Sequence, residues 1–379
     1  MGIFRNPELK GIMTILLIAF ILGVLLAGTS GKLEQWGLPW FTGAKALDKI
    51  VFVSDRSGTK QVYVMDLDGS DQKQLTSDIK VLSAPAISPA GNRIAFVGMT
   101  DSASQVFAIG VNGGSPRALT TSANSKRQPG FSPDGKKLSY IEAGRVFVAE
   151  LNGGNPDPVL PTEQEMAMAI NDPSGGRGTI PVYTMYAWGP DSESLAGVTG
   201  GISGETLVYL PSPEGEAQRF NLGDPTAKVV GLSWAVDRPL LAASIQVSQT
   251  QGMVVLFDPD RKQPQIVYST SERVGAPAIS PDGSVIVVPV SHKTIDLPKG
   301  ALLKIDLQSQ KPKPVALCEG ESLYENPVFS PSGSSILASQ SGPLSTKRRI
   351  VSIDAESGKI TQLTNKGDNF GAVWTPQSP

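Results

Sequence analysis

Past residue 48, apolar residues gather in short runs that stay apolar on both sides of the strand alternation: VFVAEL at 146–151, VVLF at 254–257 and VIVVPV at 285–290. A sheet with one wet face would alternate apolar and polar positions, so these runs predict strands covered on both faces. Turn signals punctuate them. Pro presets φ for the first turn position and Gly supplies positive φ, so Pro133-Asp134-Gly135 marks a tight turn and Asn152-Gly153-Gly154 a hairpin. Together they predict a four-stranded unit of PGFS, KLSYI, RVFVAEL and DPVL, with a short loop at Glu142-Ala143-Gly144 between the second and third strands.

The unit recurs. APAISPAGNRIAFV from Ala84 returns as QPGFSPDGKKLSYI, MYAWGPDSESLAGV, GLSWAVDRPLLAAS, APAISPDGSVIVVP and NPVFSPSGSSILAS, and a seventh copy, GAVWTPQSP from Gly371, breaks off. Aligned on Ser88, Ser132, Gly189, Ala235, Ser280, Ser330 and Thr375, the copies are spaced by 44, 57, 46, 45, 50 and 45 residues. Four-stranded antiparallel units of that period predict an all-β fold, a β-propeller of blades stacked around an axis. No segment past residue 31 keeps a sustained helical period. The globular region opens with IVFVSDRSGTKQVYVMDLDGSDQKQLT, which holds strands two, three and four of a unit, while FGAVWTP supplies an orphan first strand. Joined, they make one blade and close the ring, which removes exposed sheet edges. The count is then seven blades; misjudging a degenerate copy at Gly189 or Ala235 would make it six or eight.

Ahead of the repeats the pattern changes. Residues 11–31 are 21 consecutive uncharged residues with no polar face. As a helix they reach about 30 Å, enough for a bilayer core. Arg5 and Lys10 in the short tail before them favour a cytoplasmic N-terminus. The expected organisation is therefore a cytoplasmic tail at 1–10, a transmembrane signal-anchor at 11–31, a linker at 32–48 and a propeller at 49–379. The propeller would lie on the extracytoplasmic side, periplasmic or cell-surface. A cleavable signal peptide is the competing reading and would leave a secreted protein; its apolar region is usually shorter, about 7–15 residues. Trp36, Trp40 and Phe41 in the linker suit either a membrane interface or a cap on the globular domain.

Composition narrows the chemistry. The formal net charge of −2 gives no global field for nucleic acid, so no nucleic-acid partner is expected, and Lys347-Arg348-Arg349 reads as a solvated loop before a strand. One cysteine, Cys318, excludes an intramolecular disulfide and a cysteine-based zinc site; its segment PVALCEG reads as an outer strand with a half-buried thiol. One histidine, His292, excludes multi-histidine metal sites and reads as a residue of the loop between two strands. There is no G-x-S-x-G elbow, no H-E-x-x-H and no Walker-A pattern. Asp66-Leu67-Asp68-Gly69 and Asp258-Pro259-Asp260 read as hairpin turns, and the recurring Ser-Pro-Asp-Gly as structural. No cofactor is expected, although 35 Asp and Glu leave room for an oxygen-only structural cation such as calcium.

The segments VFVSDRSGTKQVYVMDLDGSDQKQLT and FSPDGKKLSYI resemble the TolB-type β-propeller repeat of bacterial periplasmic proteins, which also occurs in the propellers of prolyl-oligopeptidase-like enzymes. The resemblance covers almost everything from Lys49 to Pro376. It implies a propeller in a bacterial envelope setting, with protein–protein contact as the role of TolB itself. Two features depart from TolB. The residues between Gly31 and Lys49 are too few for its N-terminal α/β domain, and seven blades exceed its six.

One asymmetry bears on function. The spacing of 57 exposes an insertion of about a dozen residues within 161–185, between the fourth strand of one blade and the first of the next. The longer loop at 291–300 should emerge on the same face, with the Ser-Pro-Asp-Gly turns on the other. Insertions in repeat proteins often map to a binding face, and methionines suit adaptable partner surfaces. The candidate partner-binding residues are therefore Glu163, Met166, Met168, Asp172 and Arg177 in the insertion, and His292, Lys293 and Asp296 in the second loop. The expected function is a membrane-tethered module or scaffold binding a protein or cell-envelope ligand. The alternative is a hydrolase or lyase acting on carbohydrate or lactone through channel carboxylates; three or more convergent carboxylates at the channel would mark it.

Overall fold

A computed structural model describes residues 48–377 except 100–102, 152–154, 171–179, 202–203, 223, 262, 293–298 and 310–311. The tail, the apolar segment at 11–31 and most of the linker lie outside the described residues. Among the described residues no helix is long and apolar enough to cross a membrane.

Seven antiparallel sheets make seven blades. Blade three has the predicted strands, at Lys126–Phe131, Lys137–Glu142, Arg145–Glu150 and Asp157–Leu160. Its second hairpin turns on Ala143 and Gly144, both at positive φ, which matches the two-residue turn that right-twisted strands favour. The doubly apolar runs are explained by what covers them. Val51 and Val62 of blade one pack with Ile94, Phe96 and Phe107 of blade two in one cluster, and comparable clusters join the other neighbours. Each middle strand is thus buried against a blade on either side.

The ring closes as the truncated copy requires. The C-terminal strand Asn369–Trp374 pairs antiparallel with Lys49–Ser54, followed by Gln61–Asp66 and Lys73–Gln74. First strands face the channel with a free edge. Pro129, Pro277 and Pro327 sit on or beside these strands, where a missing N–H costs no ladder bond.

The recurring turn is a hydrogen-bonded device. In blade three the buried Ser132 hydroxyl accepts from Lys137 N at 2.9 Å and donates to Asp134 Oδ1 at 2.6 Å; Gly135 N donates to Ser132 O at 2.9 Å. Ser280 repeats the set with Val285 and Asp282. At the degenerate copy Gly189 has no hydroxyl, and a Cβ there would meet Ser194 Oγ at 1.9 Å; Ser194 fills the space and binds Asp191 instead. The last copy acts across the chain ends. Thr375 Oγ1 accepts from Lys49 N at 2.9 Å, as Ser132 does from Lys137, so the same turn clasps the ring shut.

Antiparallel order puts the connections between first and second strands, and between third and fourth, at one end of the ring (the turn face). The remaining connections form the opposite, insertion face. Asp48 N bonds Pro376 O at 3.1 Å, so the described chain begins on the turn face.

Candidate functional site

The insertion is not all loop. Residues Glu163–Ile170 form a helix, α1, which the sequence reading missed because eight residues give barely two turns of period. A local signal was present. Thr162 and Glu165 make a capping box: Glu165 N donates to Thr162 Oγ1 at 3.2 Å, and Thr162 N to Glu165 Oε2 at 2.7 Å. The buried Glu165 carboxylate also accepts from the Tyr183 hydroxyl at 2.9 Å and pairs with Arg219. Tyr183 lies on the first strand of blade four and Arg219 on its fourth, so one side chain pins the helix across that blade. Burial pushes the Tyr183 phenol well above its ordinary value, which keeps it a donor. Sequence reasoning did not select Glu165, yet its contacts anchor α1 to blade four.

Beyond that pin the helix is apolar and wet. Met168 is 64% exposed and Ile170 72%, with Ile180 and Val182 about half exposed where the chain returns to blade four. Glu163 is exposed and Met166 half-buried; Asp172 and Arg177 lie outside the described residues. The remaining candidates fall elsewhere on this face. His292 ends the strand Val285–His292 and pairs with Lys299 in the ladder, so it is a strand residue rather than the loop residue expected from sequence. Its Nδ1 lies 2.9 Å from Glu272 Oε1. Lys293 and Asp296 lie outside the described residues. The insertion adjoins blades three and four and His292 belongs to blade six, so the two sets share a face without meeting in one site.

Other parts of the ring hold groups that could carry chemistry. At the turn face the channel widens into a cavity of about 750 Å³, lined by Trp234, Val236, Pro277, Phe329, Val373 and Trp374 among others, with Asp237 as its one carboxylate. Among the described residues no group of three or more His, Cys, Asp or Glu side chains converges as a metal site would require. On the insertion face Lys126 is buried, but its ammonium donates to Ser122 O, Ser122 Oγ and Asn124 O and faces Glu142 at 3.8 Å, so it is a satisfied strut. Cys318 sits on the outer strand Pro314–Gly320, half-buried as expected, and burial raises its thiol pKa.

Comparison with known proteins agrees with this architecture. Residues 43–169 match the family model described as the TolB beta propeller domain. A protein named TolB homolog from Chlorobium chlorochromatii is 41% identical over 54 residues, which make up 14% of this chain and 12% of that protein. The matched segment is thus about one-eighth of that relative's length. Among solved structures, TolB from Acinetobacter baumannii superposes with a TM-score of 0.52 at 14% identity, covering 87% of this chain and 67% of the other. Oligogalacturonate lyase from Vibrio parahaemolyticus superposes with a TM-score of 0.60 at 13% identity, covering 86% and 92%. At these identities the likeness establishes fold. The repeats are TolB-like, and the seven blades set the chain apart from TolB itself.

Proposed function

We propose that this chain is a membrane-tethered, extracytoplasmic scaffold whose insertion face binds a protein partner of the cell envelope. Helix α1 carries the reading. Its first turn is locked by a buried carboxylate, while Met168 and Ile170 stand in solvent. Apolar side chains exposed singly mean little, but a pinned helix presenting several has already met the ordering cost that binding would otherwise demand. Leu82 and Leu344, exposed on other connections of the same face, and Met99, exposed at a strand end there, extend the apolar character of that end of the ring. The 21-residue apolar segment supports the tether, and the TolB-like repeat supports the envelope setting. The proposal calls for no cofactor.

The hydrolase or lyase reading has less behind it. It rests on a fold shared with such enzymes, and fold does not carry function. The channel cavity offers one carboxylate where that reading asked for three.

Photo-crosslinking in membranes tests the proposal. A benzoylphenylalanine at position 168 should capture a discrete protein band, and one at Ile266, equally bare but on an outer strand, should not. Equal capture at both positions, or at neither, would remove the support for this face.

A further inference from the structure

The basic run at 347–349 is not simply a solvated loop. It borders a recess of about 520 Å³ on the insertion face between blades seven and one, lined by Lys347, Arg348, Arg349 and Lys366 together with Gln362, Asn365 and Asn369. Within it the four cations are not equivalent. Arg348 is neutralised: it donates to both oxygens of Asp368, at 2.9 and 2.7 Å, reaches Glu325 at 3.5 Å and lies 4.6 Å above the Phe370 ring. The buried Asn369 amide ties the floor together by donating to the carbonyls of Arg348, Lys366 and Gly367. Gly367, at φ +73°, lets that turn press on the Asp55-Arg56 turn, since a Cβ there would meet Asp55 Oδ1 at 2.7 Å.

The other three charges remain uncompensated. Arg349 is held by the neutral Gln362 at 2.7 Å, and among the described residues neither Lys347, Arg349 nor Lys366 pairs with a carboxylate. Three unneutralised cations around a fixed floor, in a chain whose formal charge is −2, form a local positive field suited to an anion. The rim tells which kind. Leu344, 82% exposed, stands one residue from the recess-lining Ser345, and the recess lining holds no aromatic ring on which a sugar could stack.

We infer that this recess, across the ring from α1, is a second docking point that takes an acidic protein segment carrying an apolar residue beside its carboxylates. The inference concerns the chemistry of this recess and stands on its own residues; it extends the protein-binding reading of the same face without needing α1. Electrostatic docking of this type is steered by charge and weakened by salt.

The test uses the purified full chain in detergent and a fluorescent Glu-Glu-Leu-Glu-Glu-Leu peptide, with trigalacturonate as the acidic-sugar comparison. The peptide should bind at low salt and be released between about 0.05 and 0.5 M salt. The triple variant Lys347→Gln, Arg349→Gln, Lys366→Gln should lose about tenfold or more in affinity, with an unchanged melting temperature as the check on folding. Leu344→Ser should weaken the peptide and leave trigalacturonate unaffected. Peptide binding that ignores the triple variant, or trigalacturonate binding tighter than the peptide and lost in that variant, would overturn the inference. Loss of crosslinking at position 168 bears only on α1, so the two readings fail separately.

Discussion

The Ser132 hydroxyl is buried; it accepts from the Lys137 backbone N–H and donates to Asp134, with a longer contact to Lys137 O at 3.4 Å. Ser132→Ala leaves the Lys137 N–H without this acceptor in a buried turn, and should cost about 1–3 kcal/mol in urea unfolding. The repeat letters Ser-Pro-Asp-Gly were legible as a turn, and their recurrence marked them as structural. What they did not reveal is the substitution at Gly189, where Ser194 supplies a hydroxyl from five residues away, because that exchange exists only in three dimensions. Acid sensitivity is also set at single residues. Arg348 holds the Asp368 carboxyl below its ordinary value of about 3.9. A depressed carboxylate contributes stability above its unfolded pKa and loses it as pH falls through the lower, folded one. The Asp368→Asn protein should therefore unfold at lower urea than wild type at pH 7, and the gap should close as pH drops below about 4. A gap that is constant across that range would contradict the assignment.

Among the elements, strands were readable and the helix was not. Doubly apolar runs between Pro, Gly and Asp turns placed the strands of blade three nearly residue by residue, because burial on both faces leaves a strong mark on composition. Helix α1 has two turns and little periodicity, and its one early sign was the Thr162-x-x-Glu165 box. That box also identifies the residue that holds the candidate site. Glu165→Ala removes the cap and strands the Tyr183 hydroxyl and Arg219, at a cost of about 1–2 kcal/mol. The loss should be local: amide exchange across 163–170 should speed up while the middle strands of blades three and four keep their protection. Uniform acceleration through the blade would mean that Glu165 supports the sheet rather than the helix. His292 shows the limit of reading loops from sequence. VSHKTIDLPKG looked like an extended loop, but its ends continue the ladder as His292 opposite Lys299.

For the whole molecule, closure is the organising fact. The first described strand and the last form one blade, and Thr375 supplies across the chain ends the bond that Ser88, Ser132, Ser280 and Ser330 supply within their own turns. Removing 369–379 should leave blade one with a bare inner edge, lower the urea midpoint and produce aggregates on size exclusion; a monomer of unchanged midpoint would refute the clasp. The fold was legible because each blade repeats one solution, whereas the candidate sites are departures from the repeat and so carry no internal template. Binding through the insertion face is the central claim, and the most direct measurement is partner capture by the intact, tethered chain against its Met168→Ser, Ile170→Ser double variant. Both side chains are exposed, so folding should be unaffected, and the variant should recover the crosslinked partner at one-tenth of the wild-type amount or about that. Equal recovery by a folded double variant would contradict the claim.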